Sequence, residues 1–311
     1  MSIVNAPARR TLAATLAVAA VTAVAVAPSA VAAPNSLPAV VAHGAGQEKA
    51  YEKSVAVRVL KGVFERGDTQ VVDRFVRPDY IQHNPFAPDG SAALKNLGTT
   101  VHQQFPDAKY DVKRVIADGD LVLVHSNVVM TPGTRGSAVF DIFRFQGGRI
   151  AEHWDAGQNV PETTVSGNDM FSTLSSPRTE APGSPCDTKA NKRLVTAFFN
   201  KVLVGHDVSA AGKYVSAKTY YQHNPAFGDG LKEFQAGFTD YFKQFPNAVT
   251  LPKRVIAEGD LVAVHSNDKT SPDDRGNAVV DLFRVRNGKI VEHWDVTQAV
   301  PETSANDNTM F

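Results

Sequence analysis

Six of the nine histidines in this 311-residue chain recur in pairs whose members lie 140 residues apart. Imidazole changes its charge closest to neutral pH, so histidines repeated in this way are candidates for general acid-base catalysis. The sequence equally allows histidines that only form hydrogen bonds within a sheet. The pairs are His83 with His223, His125 with His265, and His153 with His293.

A repeated aspartate is the second candidate group. Strand alternation predicts that Asp141 shares a face with Phe143, and that Asp281 shares one with Phe283. Aromatic neighbours remove water from a carboxylate, which predicts a raised pKa and suits a general acid or base. The alternative is an aspartate that anchors a loop or pairs with an arginine, although the adjacent Arg144 should point to the opposite face.

A third candidate group lies in the segment Glu152-His153-Trp154-Asp155, which recurs as residues 292–295. On a strand, His153 and Asp155 share one face and can orient each other, whereas Glu152 and Trp154 share the other. Spacing does not decide which face is inside: an inward Trp154 would be a flat apolar wall, with His153 at a surface or interface. The equivalent residues of the second segment are His293, Trp294 and Asp295.

Other chemistries find little support in the sequence. No HxH or HxxxH pair occurs, no glycine-rich phosphate loop follows a strand, and no GxSxG segment is present. We therefore expect no metal and no cofactor. The 32 basic and 32 acidic side chains balance, which disfavours nucleic acid and anionic membranes as partners. A small molecule or a protein is the better expectation.

The elements that must position these groups come in two copies. Residues 110–171 align without a gap to 250–311, and more than half of the aligned positions are identical. A repeat of this size is a whole domain, so the sequence predicts a tandem duplication. In each copy, helical periodicity precedes a run of β-branched and aromatic strands, the order typical of an α+β fold in which a curved antiparallel sheet packs on helices.

The boundaries follow from composition. A charged, then apolar, then small-residue order predicts a secretory signal peptide and a secreted protein. The lone Cys186 receives no catalytic role. The predicted segments are a signal peptide at 1–32, a flexible leader at 33–46, a first domain at 47–171, a linker at 172–187 and a second domain at 188–311.

Local patterns in the first copy predict individual elements. Phe75 and Val76 suggest a short helix broken by Pro78, and residues 91–105 should form another helix. The predicted strands are 80–83, 110–117, 121–129, 137–146 and 149–156.

The strand around Asp141, the Glu152-to-Asp155 segment and the segment Gln82-His83-Asn84-Pro85 together resemble the SnoaL-like polyketide cyclase family. That family belongs to the cone-shaped superfamily named after nuclear transport factor 2, which also contains ketosteroid isomerase. The resemblance covers both copies and implies two tandem cone-shaped domains.

The resemblance also implies an activity, namely a cofactor-free intramolecular aldol condensation or an isomerisation in which Asp and His act as acid and base. Asp141 and Asp281 match a strand aspartate of ketosteroid isomerase that is kept neutral, a familiar example of a carboxylic acid with a raised pKa. The isomerase base would fall near Asn84 or Asn224, which cannot take a proton. That role moves to His83, His125 or Asp155.

We therefore expect an exported acid-base enzyme of the cyclase, lyase or isomerase type that acts on a small hydrophobic carbonyl compound. His83, His125 and Asp141 would line the cavity, with His153 and Asp155 as the alternative pair. The alternative function is a non-catalytic binding or association module of the same fold. The substrate-binding candidates are Asn84, Phe143, Trp154, Asn224, Phe283 and Trp294.

A duplicated domain can also retain the interface of an ancestral dimer within one chain. We expect the two copies to face each other as an intrachain pseudo-dimer. The residues predicted to be buried between them are Val122, Val124, Val262 and Val264.

Overall fold

The computed structural model describes residues 44–175 and 188–311. The predicted signal peptide, Cys186 and most of the predicted leader and linker lie outside these residues. The described residues belong to one compact unit. None of the helices within the described ranges is long and apolar enough to cross a membrane.

The helices of the first domain cover one face of its sheet. Helix α1 (Ala45–Leu60) continues into a π-helical turn at Lys61–Glu65, and the chain turns at Gly67, whose φ of 64° suits glycine. Helices α2 (Gln70–Phe75) and α3 (Ser91–Gln104) follow. Their apolar side chains recur at helical spacing, so one stripe of each helix is buried against the sheet.

Five strands form the first sheet in the order β1-β5-β4-β3-β2. Strands β2 to β5 form an antiparallel meander, and β1 adds to β5 in parallel at the edge. Bulges between Val112 and Arg114 and between Arg144 and Phe145 bend the strands. The strands are β1 (Val76–Gln82), β2 (Lys109–Asp118), β3 (Leu121–Val129), β4 (Ser137–Gln146) and β5 (Arg149–Asn159).

The second domain repeats this plan with a shorter edge strand. The sheet order is β6-β10-β9-β8-β7, and β6 again pairs in parallel with β10. Both sheets are open, and the predicted α+β architecture is confirmed. The helices are α4 (Thr188–Phe198) with a π-helical turn at Phe199–Val204, a 3-10 helix at Val208–Lys213, and α5 (Leu231–Gln244). The strands are β6 (Tyr221–Gln222), β7 (Val249–Glu258), β8 (Leu261–Lys269), β9 (Asn277–Arg286) and β10 (Lys289–Ala299).

One local prediction is wrong. Val76 begins strand β1 instead of continuing a helix, and Pro78 lies within that strand. Proline cannot donate a ladder hydrogen bond, but β1 is an edge strand, where this loss is tolerated.

The two faces of each sheet have different partners. On the inner face, side chains such as Val124 and Phe143 pack against the helices of their own domain. On the outer face, one buried apolar cluster contains side chains of both domains, including Leu123 and Ile142 from the first and Ala263 from the second. The sheets therefore contact each other through their outer faces.

The prediction of which residues lie between the domains is wrong. Val122 and Val124 lie in the inner core of the first domain, and Val262 and Val264 lie in that of the second. Strand alternation places their neighbour Leu123 on the shared face instead. Stable pairing of the two domains in solution stays a prediction.

Candidate functional site

An Asp-His-Asp cluster lies on the inner face of the first sheet. Asp141 on β4 is registered opposite Asp155 on β5, and His153 precedes Asp155 by two residues on the same face. The Nε2 atom of His153 lies 3.0 Å from Asp141 Oδ1. The ring of Phe143 stacks on His153 with the centroids 4.7 Å apart. Adjacent strands thus bring two carboxyl groups and an imidazole together among apolar side chains.

The end of strand β1 fixes the orientation of this cluster. The Nδ1 atom of His153 lies 2.9 Å from Gln82 Oε1, so both imidazole nitrogens have partners. The side-chain amide of Asn84 donates to Asp155 Oδ2 at 2.7 Å. The side-chain nitrogen of Gln82, Nε2, also donates to the hydroxyl of buried Tyr80. The parallel edge strand therefore supplies the polar groups that hold the cluster.

The second domain has the same arrangement. His293 Nε2 lies 2.8 Å from Asp281 Oδ1, and its Nδ1 lies 2.8 Å from Gln222 Oε1. Asn224 donates to Asp295 Oδ2 at 2.6 Å. The predicted pairing of His153 with Asp155 on one strand face matches the geometry in both copies, whereas the sequence did not predict that Asp141 and Asp281 join these pairs.

Some carboxylate oxygens of the clusters are buried without a partner. Asp141 Oδ2, Asp155 Oδ1 and Asp295 Oδ1 accept no hydrogen bond from the described residues. A buried polar atom without a partner is destabilising by roughly 1–3 kcal/mol, so its retention is often linked to chemistry. These are the atoms free to exchange a proton with, or accept a hydrogen bond from, a bound molecule.

Burial changes the protonation of the acidic groups. It raises the pKa of Asp281 to about 7, and burial together with the charge of Asp281 raises the pKa of Asp295 to about 6. Burial likewise raises the pKa of Asp155, which the charge of Asp141 increases further. Carboxyl groups with pKa values near neutrality can both donate and accept protons.

The pKa values of the two inner-face histidines shift in opposite directions. Burial disfavours the charged form of His153, but its hydrogen bond to Asp141 and the charges of Asp155 and Asp141 outweigh this and raise its pKa. Burial lowers the pKa of His293 to about 4. The lowered pKa of His293 beside the raised pKa of Asp281 favours the neutral forms of both groups over an ion pair.

A further carboxyl group distinguishes the second domain. Asp268 replaces Val128 of the first domain on the inner face of strand β8, and Ser266 Oγ donates to it at 2.7 Å. Burial, and then the charge of Asp281, raise the pKa of Asp268 to about 7. The two interiors are therefore not chemically identical.

His83 does not line the inner face, contrary to the sequence prediction. Its ring stacks on Trp154, with centroids 4.7 Å apart, and its Nε2 contacts Glu152. His223 stacks on Trp294 in the same way. Because Glu152 and Trp154 alternate with His153 along the strand, this pair of histidines lies on the opposite face of the sheet.

His125 and His265 also lie on the outer face, so the prediction that they line the cavity is wrong. His125 stacks on Phe140 with the centroids 4.3 Å apart, and Arg114 donates to its Nδ1 at 3.1 Å. Burial and the nearby Arg114 charge lower the pKa of His125 well below its ordinary value, and burial with Arg254 lowers that of His265 to about 3. Neutral histidines that accept from arginine pack the shared face.

The prediction that Trp154 and Trp294 bind substrate is also wrong, because both lie on the outer face between the domains. Arg254 of the second domain lies 3.6 Å over the ring of Trp154, and Arg114 of the first lies 3.9 Å over that of Trp294. These reciprocal cation–π contacts connect the domains. Of the predicted binding residues, Phe143, Phe283, Asn84 and Asn224 contact the clusters.

The clusters also have the composition of a metal-binding group. In each domain, one ligand atom from each Asp and from the His lies within 4.8 Å of the others. Such a set of oxygen and nitrogen donors could hold a divalent ion, although His153 and Asp141 already satisfy each other by a hydrogen bond. The expectation that the protein needs no metal stays a prediction.

Gln82 and Gln222 are site residues that the sequence patterns did not identify. The repeated segment that contains each of them was singled out for its histidine and its asparagine. The alternation that puts His83 outward puts Gln82 inward, and Tyr80 lies two residues before it. The signal was the polar glutamine itself, two residues after a tyrosine on an edge strand.

Comparisons with known proteins give a family. A family model described as a SnoaL-like domain matches residues 56–153 and 195–293, which together make up more than half of the chain. No curated protein sequence matches the chain.

Several solved structures are similar to a single domain of this chain. A candidate polyketide cyclase from Acidithiobacillus ferrooxidans is 22% identical over 35% of this chain and 88% of that chain, with a TM-score of 0.31. A SnoaL-like protein of unknown function from Burkholderia thailandensis is 15% identical over 37% and 100% of the two chains, with a TM-score of 0.31. A candidate ketosteroid isomerase from Kribbella flavida is 16% identical over 38% and 84%, with a TM-score of 0.32.

Each matched segment contains one Asp-His pair of the inner face. The pair is Asp141 with His153 in the first segment and Asp281 with His293 in the second. The chain belongs to the SnoaL-like family and carries two SnoaL-like domains in tandem.

Proposed function

We propose that the protein is a cofactor-free acid-base enzyme of the cyclase or isomerase type, acting on a small hydrophobic carbonyl compound. The observation that carries this proposal is the buried Asp-His-Asp cluster with unpaired carboxylate oxygens, present in both domains. An apolar interior strengthens hydrogen bonds to a developing enolate, which is the difficult intermediate in such reactions.

The geometry supports a division of roles. Asp155 has one oxygen held by Asn84 and one free, so it is placed to remove a proton from the carbon next to a carbonyl group. Asp141 has one oxygen against His153 and one free, so the proton held by this pair can be donated to the enolate oxygen. In an isomerisation, Asp155 returns the abstracted proton to carbon, and the enol oxygen returns its proton to the Asp141–His153 pair as the carbonyl re-forms. In an aldol reaction, the abstracted proton instead reaches the alkoxide of the product. No other reactant is needed.

The most general test follows proton removal directly. A panel of small ketones and β-dicarbonyl compounds is incubated with the protein in D₂O with EDTA, and exchange of the α-protons is followed by NMR. We expect exchange with the wild-type protein and its loss in the double variant Asp155→Asn, Asp295→Asn. The variant Asp79→Asn, which removes an exposed carboxylate, is the control.

The outcomes separate the alternatives. Exchange that disappears with EDTA and returns with a divalent ion would contradict a cofactor-free reaction. It would indicate that the Asp-His-Asp clusters bind a metal ion. Tight binding of a panel compound without exchange would contradict the enzyme and favour the binding module.

We further propose that the protein is exported, on the strength of the order of charged, apolar and small residues at 1–32. Expression of the full chain in a bacterial host, followed by mass determination of the extracellular protein, tests this. A retained, uncleaved chain would contradict it.

A further inference from the structure

Each domain extends beyond its last strand into the other domain. We define tail 1 as residues 160–171 and tail 2 as residues 300–311. In tail 2, the backbone nitrogen of Ala305 donates to Pro85 O at 2.8 Å. The side-chain amide of Asn306 donates to Asn84 O and Ala87 O, both at 2.8 Å. Tail 2 therefore holds the turn after strand β1 of the first domain.

Asn308 is the centre of this contact. Its side-chain amide donates to the carbonyl oxygen of Gln82 at 3.0 Å and to Asp89 Oδ1 at 2.9 Å. The same Asp89 oxygen accepts from the backbone nitrogen of Gln82 at 2.7 Å. Beside it, His83 Nδ1 donates to the carbonyl oxygen of Thr309. The backbone nitrogen of Gln82 is thus held by Asp89, and its carbonyl oxygen is held by Asn308 of tail 2.

Tail 1 makes the reciprocal contact with the second domain. The Asn168 amide donates to Gln222 O at 3.0 Å and to Asp229 Oδ1 at 2.8 Å. Asp229 in turn accepts from the backbone nitrogen of Gln222 at 2.7 Å, and His223 donates to Asp169 O. The exchange of tails between the domains therefore uses the same residue types at both ends.

The held turn is also the one that orients the candidate site. Gln82 and Asn84 contact His153 and Asp155, and each of those turn residues is bonded through its backbone to tail 2. We propose that each tail positions the Asp-His-Asp cluster of the opposite domain, with Asn308 and Asn168 as positioning residues, so that neither domain holds a complete site by itself. This inference rests on the proposed function for the identity of the site.

A purely structural role would predict a different result. Tail 2 also buries Met310 in the cluster shared by both domains, so its removal would loosen the whole chain. Substitution of Asn308, which is partly exposed, removes the contacts to Gln82 while leaving Met310 in place. A local readout at the two site histidines then distinguishes positioning from stability.

The test uses the full chain and the side-chain ¹⁵N signals of His153 and His293 in NMR spectra, assigned with His153→Gln and His293→Gln. We expect Asn308→Ala to shift the His153 signals and leave those of His293, and Asn168→Ala to do the reverse. Glu302→Gln, in the same tail but paired with Arg275 of its own domain, is the control and should shift neither. Thermal unfolding confirms that each variant is folded.

Once a substrate is known, Asn308→Ala in an Asp281→Asn background should lower kcat about tenfold, whereas Asn168→Ala in that background should not. Shifts of both histidines by either variant, or of neither, would overturn the inference. That failure is distinct from failure of the proposed function, which would show as α-proton exchange surviving loss of Asp155 and Asp295.

Discussion

At the scale of single residues, the two domains have kept the Asp-His-Asp clusters while other inner-face positions have changed. Asp268 of the second domain stands where the first has Val128. A carboxyl group in that place loses hydration and lies near Asp281, and its contacts with Ser266 and Thr250 compensate only in part. The second interior therefore carries an extra acid at a cost in stability.

This asymmetry leads to a pH-dependent prediction. Since the pKa of Asp268 is raised from 3.8 to about 7, the native state holds a proton that the unfolded state releases, and stability falls as pH rises from about 4 to about 7. Asp268→Val should therefore stabilise the protein by up to about 4 kcal/mol at pH 8 and much less at pH 4. Urea unfolding at the two pH values measures the difference.

The reciprocal change is the matched control. Val128→Asp places a carboxyl group in the first domain, where Ser126 occupies the position of Ser266 but Tyr110 replaces Thr250, and it should destabilise the protein at pH 8. Equal stability of Asp268→Val and the wild-type protein at pH 8 would contradict this explanation of the asymmetry.

At the scale of elements, the turns between strands depend on backbone conformation as much as on side chains. Gly136, before strand β4, has a φ of 74°, and a Cβ atom there would lie 2.6 Å from the carbonyl oxygen of Val128. Gly133 has a φ of 83° but nothing within 4 Å of an added Cβ. Substitution of these two glycines therefore distinguishes the cost of a left-handed backbone conformation from the cost of steric overlap.

Gly133→Ala should cost about 1 kcal/mol, since only the left-handed conformation is penalised. Gly136→Ala should cost about 3 kcal/mol or more, because strand β3 must also move. Chemical denaturation of both variants checks this. Equal losses would show that the contact with Val128 is relieved without cost.

Sequence patterns predicted most of the elements and which side chains share a strand face, but not the side of the sheet that faces inward. Alternation placed Asp141 with Phe143 and His153 with Asp155, as the structure shows. It could not rank Leu123 against Val124, because both faces of these strands are apolar: one covers helices and the other covers the second sheet. The predictions for His83, His125 and the tryptophans failed for this reason.

The contacts of the two tails could not be predicted from strand or helix patterns for a different reason. Their residues have neither helical nor strand periodicity, and their partners lie more than 50 residues away in tail 1 and more than 200 in tail 2. The signal was repetition: Asn168 recurs as Asn308, and Met170-Phe171 recurs as Met310-Phe311.

At the scale of the whole molecule, the outer faces of the sheets, the arginine–tryptophan contacts and the exchanged tails all join the domains. Ion pairs add to them: Lys53 contacts Glu258 at 2.8 Å, and Lys192 contacts Asp118 at 2.7 Å. We infer from these contacts that the domains unfold together.

Leu123→Ala tests this pairing. The change leaves a cavity between the sheets, and we expect a loss of about 2–5 kcal/mol and faster hydrogen exchange in strands of both domains. Val124→Ala, one residue away in the inner core of the first domain, should loosen that domain first. Faster exchange confined to the first domain in both variants would contradict the pairing.

Acid-base chemistry by the Asp-His-Asp clusters is the proposal on which the rest depends. Asp141→Asn together with Asp281→Asn keeps the size of both side chains and removes their acidity. Turnover, or α-proton exchange, of a responding carbonyl compound by this double variant tests the proposal, with circular dichroism to confirm the fold. We expect a folded protein whose rate falls by at least about 100-fold. A folded double variant with the wild-type rate would show that the clusters do not perform this chemistry.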